Sequence, residues 1–524
     1  MKQYDAIVIG GGINSLAAAA LLSQKEKSVL LLEAKDTLGG MAASEEFAPG
    51  FKCNMVYDYI PWIDSRLIER LNLEVYGLEM IPSDPLRIAL DENGRHIIFY
   101  SDPEKTAESI CQHSSKDAGK WAEFTDYIKK LTSIMEPLYR ITPPIISEVG
   151  IKDAISISAI LKPIWKHGSR GLVDTIRSVP MMMPELLEEW FESKLLQGSL
   201  AARGISHITQ GPYSAATVLN FLHQHIHANS NIHNAHFIRG GTDQFSNSIT
   251  KAARKTGVEI QTNTPVSSIN CKSGICSGVS TTNGQTYNSN MLISGLDPNN
   301  TCIKLVSGHE ISPTLRRQLK NIKYRGSAAR IHFALKECPR ITDVENKNLG
   351  SIFAINPSME YLERAYDDAK YGRISSNPYI EFSIPSITNS NYAPRGNHVL
   401  SATVQYVPYH LRNDNWNDGL KRKMIQKVTH ILEKYIPGFS DIIDDSVIMS
   451  AVDLESSLGL TEGNLNHGEL TLDQFFFMRP TISMAQYITP FKNLFLCGPC
   501  THPGGGLHGT NAVNAVNELI RRSS

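Results

Sequence analysis

Gly10, Gly12 and Ser15 stand at the spacing of a G-x-G-x-x-G turn, and Glu33 follows Gly10 by 23 positions. That spacing suits dinucleotide binding. Gly10 permits a tight turn and Gly12 lets the backbone close on a pyrophosphate. The turn at Ile13, Asn14 and Ser15 opens a helix whose unpaired amides and positive dipole end favour an anion. Glu33 is then placed to accept from ribose hydroxyls. Ser15 replaces the third glycine of the pattern, a departure small enough to keep helix and strand in close packing.

The elements that must hold these groups can be read around them. Tyr4 to Ile9 is a β-branched run, Ser15 to Leu22 is a small-residue helix, and Val29 to Leu32 is a second apolar run ending on Glu33. A lone glycine motif is weak, but strand, turn, helix and a strand ending on an acid together point to a nucleotide. Glu33-Ala34 then runs on to a second glycine pair, Gly39 and Gly40, followed by Met41, where backbone amides could approach the cofactor again.

With that extension, the chain resembles the phytoene desaturase and carotenoid isomerase-like FAD-dependent oxidoreductases of the amine-oxidase superfamily. It is most similar to their branch of pyridine nucleotide-disulfide oxidoreductase domain-containing protein 2 and phytoene dehydrogenase-related proteins. The stretches that carry the resemblance are GGMAASEEFAPGFK (39–52), RGGTDQFSNSI (239–249), HGELTLDQFFFMRP (467–480) and LFLCGPCTHPGGGLHG (494–509). Met41 departs from the arginine, and Ala512 from the glycine, common in that family.

The resemblance implies an α/β fold, with a Rossmann-type FAD-binding domain of the amine oxidase type and an inserted α+β substrate domain. The FAD domain is expected to be discontinuous, from 1–85, 232–300 and 478–524. The substrate domain is expected from 86–231 and 301–477, with a helical lid. Val266, Gly498, Gly506, Leu507 and Gly509 join the N-terminal residues as expected cofactor contacts. His502, His508, Tyr213 and Glu469 are candidate catalytic neighbours of the flavin, with His467 beside Glu469. Arg239 and Arg479 are candidates to hold a phosphate or a substrate anion.

Two motifs mislead. Cys497-Gly-Pro-Cys500 has thioredoxin spacing, but the chain continues for only 24 residues after Cys500, too few for a thioredoxin domain around it. Gly504 to Gly509 spells a second G-x-G-x-x-G with too little chain beyond it for another dinucleotide unit. It reads instead as a flavin-facing helix start, and no other nicotinamide fingerprint is evident. His223, His225 and His227 invite a metal, but no carboxylate or cysteine accompanies them at ligand spacing, so no metal is expected.

Composition narrows the partners. Among 524 residues, 51 basic side chains face 52 acidic ones, which leaves no electrostatic footprint for nucleic acid. An apolar fraction of 41% excludes disorder, and the length exceeds what one core supports, so two domains are expected. No apolar run is long enough to span a bilayer. The chain passes from its first residues straight into an apolar strand, and its eight cysteines are sparse, both of which favour the cytoplasm. Ile145 to Leu196, rich in apolar residues with interspersed Lys and Arg, reads first as a buried lid over a substrate tunnel and second as a peripheral membrane contact.

The expected activity is hydride transfer from a hydrophobic, isoprenoid- or lipid-like small molecule to FAD, with an external electron acceptor, oxygen or a quinone. Redox-neutral isomerisation or saturation of a polyene, and a non-catalytic flavin-binding role, are the alternatives. Nothing in the sequence sets the oligomeric state.

Overall fold

In the computed structural model, residues 2–144, 167–228 and 231–523 are described. A five-stranded parallel sheet runs in the order Glu259–Gln261, Val29–Leu32, Ala6–Ile9, Leu292–Ser294, Leu494–Leu496. Three separate stretches of chain thus build one sheet. Ala6–Ile9 and Val29–Leu32 are buried at every position, as a parallel sheet covered on both faces requires.

The helix Ile13–Ser23 is also buried at every position. Its four consecutive alanines, Ala17 to Ala20, let the helices Asp243–Lys255 and Thr510–Ser523 pack against it in one core. Ser15 is accommodated by another glycine: a Cβ at Gly295 would overlap the Ser15 hydroxyl.

A second, seven-stranded sheet runs Ile443–Met449, Ala328–Leu335, His398–Gln405, Tyr379–Ser383, Phe353–Ile355, Arg87–Leu90, His96–Phe99. One face carries Ile331, Phe333, Ile380, Phe382, Ala402 and Val404, packed with Met424, Val428 and Leu432 of the helix Asp418–Glu433. The other face is covered by Ser115–Tyr139, Lys194–Gly204 and Thr217–Gln224. The sequence of 325–455 reads as strands and turns with one helix, Asp418 to Tyr435; the structure adds Met359–Lys370, capped by Ser358, and Ala451–Leu458, capped by Ser450. Their amphipathic pattern is short and lies among strand-like runs, which hid it.

Of the stretch expected as a lid or membrane contact, 145–166 lies outside the described residues. Met183, Leu186, Leu187, Phe191, Leu195 and Leu196 at its far end are buried in the helical core. Among the described residues, no helix is long and apolar enough to cross a membrane.

Candidate active site: a nucleotide cleft and a charged chamber

The first strand, its glycine turn and the helix after it open onto a cavity of about 500 Å³. Gly10, Gly12, Ile13, Asn14, Ser15, Glu33, Ala34, Gly39, Gly40, Met41, Val266 and Leu507 all line it. The two glycine motifs are joined directly, with Gly39 N–H donating to the Gly11 carbonyl at 2.9 Å. Glu33 accepts from the Gly11 amide at 2.5 Å and the Lys35 amide at 2.8 Å. The carboxylate thereby ties the turn to the end of its own strand.

The cleft suits a dinucleotide on two observations. A Cβ at Gly12 would meet no atom within 4 Å, so that residue's missing side chain is open cavity rather than packing. Asn14 Oδ1 is buried on the wall with no hydrogen-bond partner. Sequence reasoning missed the far wall, which comes from Asn300, Lys304 and residues 456–460. Those positions lie in segments without glycine or acid spacing, and only the tertiary fold brings them to the turn.

Three expected contacts fall elsewhere. Gly506 lines a second cavity, while Gly498 and Gly509 line neither. A Cβ at Gly498 would strike the Gly295 carbonyl, and one at Gly509 would strike Leu67. These two glycines serve close packing.

The second cavity, about 60 Å³, lies across Leu507, which lines both. Its walls include Tyr57 to Trp62, Arg203, His207, Arg330, Glu381 and the loop Gly505 to His508. The floor is the polar face of the seven-stranded sheet. Arg330 pairs in register with Thr403, and Thr403 with Glu381, so the three sit side by side on adjacent strands. Arg330 donates to Thr403 Oγ1 at 2.6 Å and forms an ion pair with Asp58 at 2.8 Å. Arg87 pairs with Glu381 at 2.6 Å.

Tyr59 links the groups, donating to Glu381 at 2.6 Å and accepting from Arg87 and Arg203 at 3.2 Å each. Burial alone would raise the Glu381 pKa, but Arg87 and Arg203 together with its hydrogen bonds hold it down to about 2. The signal for this cluster was present in the sequence. Arg330 and His332, Glu381 and Ser383, and Ser401 and Thr403 alternate with apolar residues along strands that are buried on both faces.

The candidate catalytic residues separate. His508 lines the chamber, with its ring stacked on Trp62 at 4.4 Å and 3°. Both its nitrogens are engaged: Nε2 contacts the Gly505 carbonyl at 3.1 Å, and Nδ1 accepts from the Thr510 amide at 3.2 Å. Burial lowers its pKa to about 4, so it is a neutral wall group near pH 7. His467 lines the nucleotide cleft and is likewise lowered to about 4, chiefly by burial.

His502 lines neither cavity. Its Nε2 contacts the Leu138 carbonyl at 2.7 Å, and burial lowers it to about 3. Tyr213 is 39% exposed at the surface and lines neither cavity. Glu469, 0% exposed, accepts from the Thr209 amide and from Arg325, and so joins two loops outside both cavities. Burial raises its pKa against the opposing pull of Arg325.

Neither arginine singled out as an anion holder does so. Arg239 pairs with Glu79 on the surface at 2.6 Å. Arg479 is buried and donates to six backbone carbonyls, those of Asn466, Gly468, Glu469, Gln474, Pro499 and Thr501. Cys497 and Cys500 are buried free thiols; burial pushes the former up to about 12 and the latter well above the ordinary thiol value. His223 contacts Tyr139 and Gly505, His225 contacts Phe221, and His227 pairs with Glu136. Among the described residues, no group of three or more His, Cys, Asp or Glu is arranged for a metal.

A parallel sheet whose glycine cleft suits a dinucleotide and meets a buried chamber defines a Rossmann-type nucleotide-binding protein. The chain belongs to the flavin containing amine oxidoreductase family, which matches residues 16–513. It is 27% identical to pyridine nucleotide-disulfide oxidoreductase domain-containing protein 2 of Rattus norvegicus, over 99% of this chain and 94% of that one. A limonene dehydrogenase polypeptide of Castellaniella defragrans is 25% identical, over 99% and 95%. In fold, the chain matches the crystal structure of an oxidoreductase from Methanosarcina mazei with a TM-score of 0.60 and 14% identity, covering 99% of this chain and all of that one.

Proposed function

We propose that this oxidoreductase acts as a desaturase or dehydrogenase on a hydrophobic, isoprenoid- or lipid-like molecule and passes the two electrons to an external acceptor, oxygen or a quinone. The observation that carries the proposal is the shared wall at Leu507. The glycine loop separates the nucleotide cleft from a chamber whose apolar lining is made by Val56, Ile60, Trp62, Ile352, Phe382 and Leu507. Bound FAD supplies a hydride acceptor at this boundary. The chain positions the substrate against it and keeps water away. Trp62 and the neutral His508 form a rigid, uncharged wall, while Glu381 stays ionised against its arginines. The similarity to a limonene dehydrogenase supports an isoprenoid class. The eight free cysteines support a reducing, cytoplasmic setting.

The test is anaerobic mixing of the FAD-loaded protein with isoprenoid hydrocarbons and long-chain lipids. Bleaching of the flavin absorption by one of them, reversed by oxygen or a quinone, is expected. Conversion without lasting bleaching would replace oxidation with isomerisation. Failure of every hydrophobic compound to bind or react would overturn the substrate class.

A further inference from the structure

The chamber lining sets Arg203 and Arg330 against Asp58 and Glu381, and Arg87, which pairs with Glu381 from outside the lining, leaves the buried cluster with one more positive than negative charge. Arg87 and Glu381 neutralise one another, and Arg330 and Asp58 form a second pair. Arg203 is left over. It is 4% exposed, and its guanidinium reaches only neutral acceptors, Tyr59 at 3.2 Å and Gln224 at 3.1 Å. No carboxylate lies within ion-pair distance of it among the described residues. The Nε atoms of Arg203 and Arg330 are both buried without a partner. His207, which also lines the chamber, does not add to the positive charge, because burial together with these two arginines lowers it to about 4.

Burying three cations against two carboxylates is expensive, and such an excess persists where something else supplies the charge. Two arginines in one pocket, each with an unused donor, suit a planar anion that accepts from more than one N–H.

We infer that the chamber recognises its substrate through a carboxylate, seated against Arg203 and flanked by Arg330. The inference rests on the proposed function and narrows it: the substrate is an amphiphile, with an apolar body and an acid end. Arg87, Asp58 and Glu381 act as positioning residues. Their charges, with that of Arg330, cancel, so the carboxylate meets one net positive charge rather than a neutral floor.

The experiment titrates FAD-loaded protein with a long-chain fatty acid, its methyl ester and the short acid benzoate, following perturbation of the flavin spectrum. The acid is expected to bind at least tenfold more tightly than the ester. R203M should abolish that preference while retaining FAD, and R203K, which keeps the charge, should retain most of it. R203K also serves as the folding control should R203M fail to hold FAD: an R203K protein that holds FAD and keeps the preference supports the carboxylate seat, and one that holds FAD but has lost the preference overturns a seat built on this positive charge.

Equal binding of acid and ester would overturn the carboxylate seat while leaving the hydrophobic reading intact. Binding of benzoate but of neither long-chain compound would do the reverse. Binding of none of the three would overturn both. If R203M shifts the flavin reduction potential but leaves the acid-to-ester ratio unchanged, Arg203 serves the reduced cofactor and the carboxylate seat is overturned.

Discussion

At the scale of single residues, the glycine cleft depends on Glu33 more than on any other side chain. One oxygen holds the Gly11 amide of the turn at 2.5 Å and the other the Lys35 amide just past its own strand at 2.8 Å, and Glu33 lines the nucleotide cleft. Hydrogen bonds to a charged group contribute about 1.5–3 kcal/mol. Glu33→Ala is therefore expected to weaken FAD binding by roughly ten- to a hundredfold, measured by flavin fluorescence on titration, with the far-ultraviolet circular dichroism unchanged. Retained affinity would remove Glu33 from the site. Glu33 was legible in the sequence because its place is set by local strand geometry. Glu469 and Tyr213 were not, because a carboxylate or phenol in an irregular loop has no local pattern that says which way it faces.

At the scale of elements, the loops that close the site are held by one buried cation. Arg479 binds carbonyls in both the 466–474 segment and the 499–501 turn, and a Cβ at Gly505 would overlap Asn466. The flavin loop is thus shaped by the segment before it. Burial lowers the Arg479 pKa to about 10, which leaves it protonated at neutral pH. Arg479→Met would strand several buried carbonyls, each costing about 1–3 kcal/mol. The expected result is a destabilisation of roughly 3 kcal/mol or more, read as a lower denaturant midpoint, together with loss of FAD. An unchanged midpoint would refute the clamp. The sequence pattern placed the elements of the nucleotide motif within a residue or two, such as Val29–Leu32 as observed and the helix Ile13–Ser23 against an expected 15–22. Those elements follow local runs of apolar residues around a glycine turn, whereas the clamp links residues in loops with no such pattern.

At the scale of the whole molecule, burial of histidine makes stability depend on pH. His223, His225 and His502 are lowered to about 3, and His207 and His508 to about 4, in each case chiefly by burial. In the unfolded chain each would titrate near its ordinary value of about 6.5. Between those values the unfolded state binds more protons, so stability rises with pH. The contribution is complete above about pH 6.5 and is lost as the pH falls toward 4 and 3. Glu381 adds to the loss at the acid end, since its stabilisation fades as the pH drops from its ordinary carboxylate value toward about 2. Thermal melts should show a transition temperature that is nearly flat from about pH 7 to 8 and declines steadily below about pH 6.5. A transition independent of pH over that interval would show that these histidines are not buried neutral.

The sequence by itself determined the nucleotide half of the molecule. Strand, glycine turn, helix and the acid that ends the second strand lie close together in sequence, and their geometry follows from backbone sterics and hydrogen bonding over about thirty residues. Only the tertiary structure decided the chemistry of the chamber. Arg203 sits on a helix, Arg330 and Glu381 on two different strands, and Asp58 in a loop, so their charges meet only when a sheet and its helical cover have packed. The near-zero net charge of the chain concealed this, because a sum over 524 residues carries no information about where one unbalanced arginine is buried.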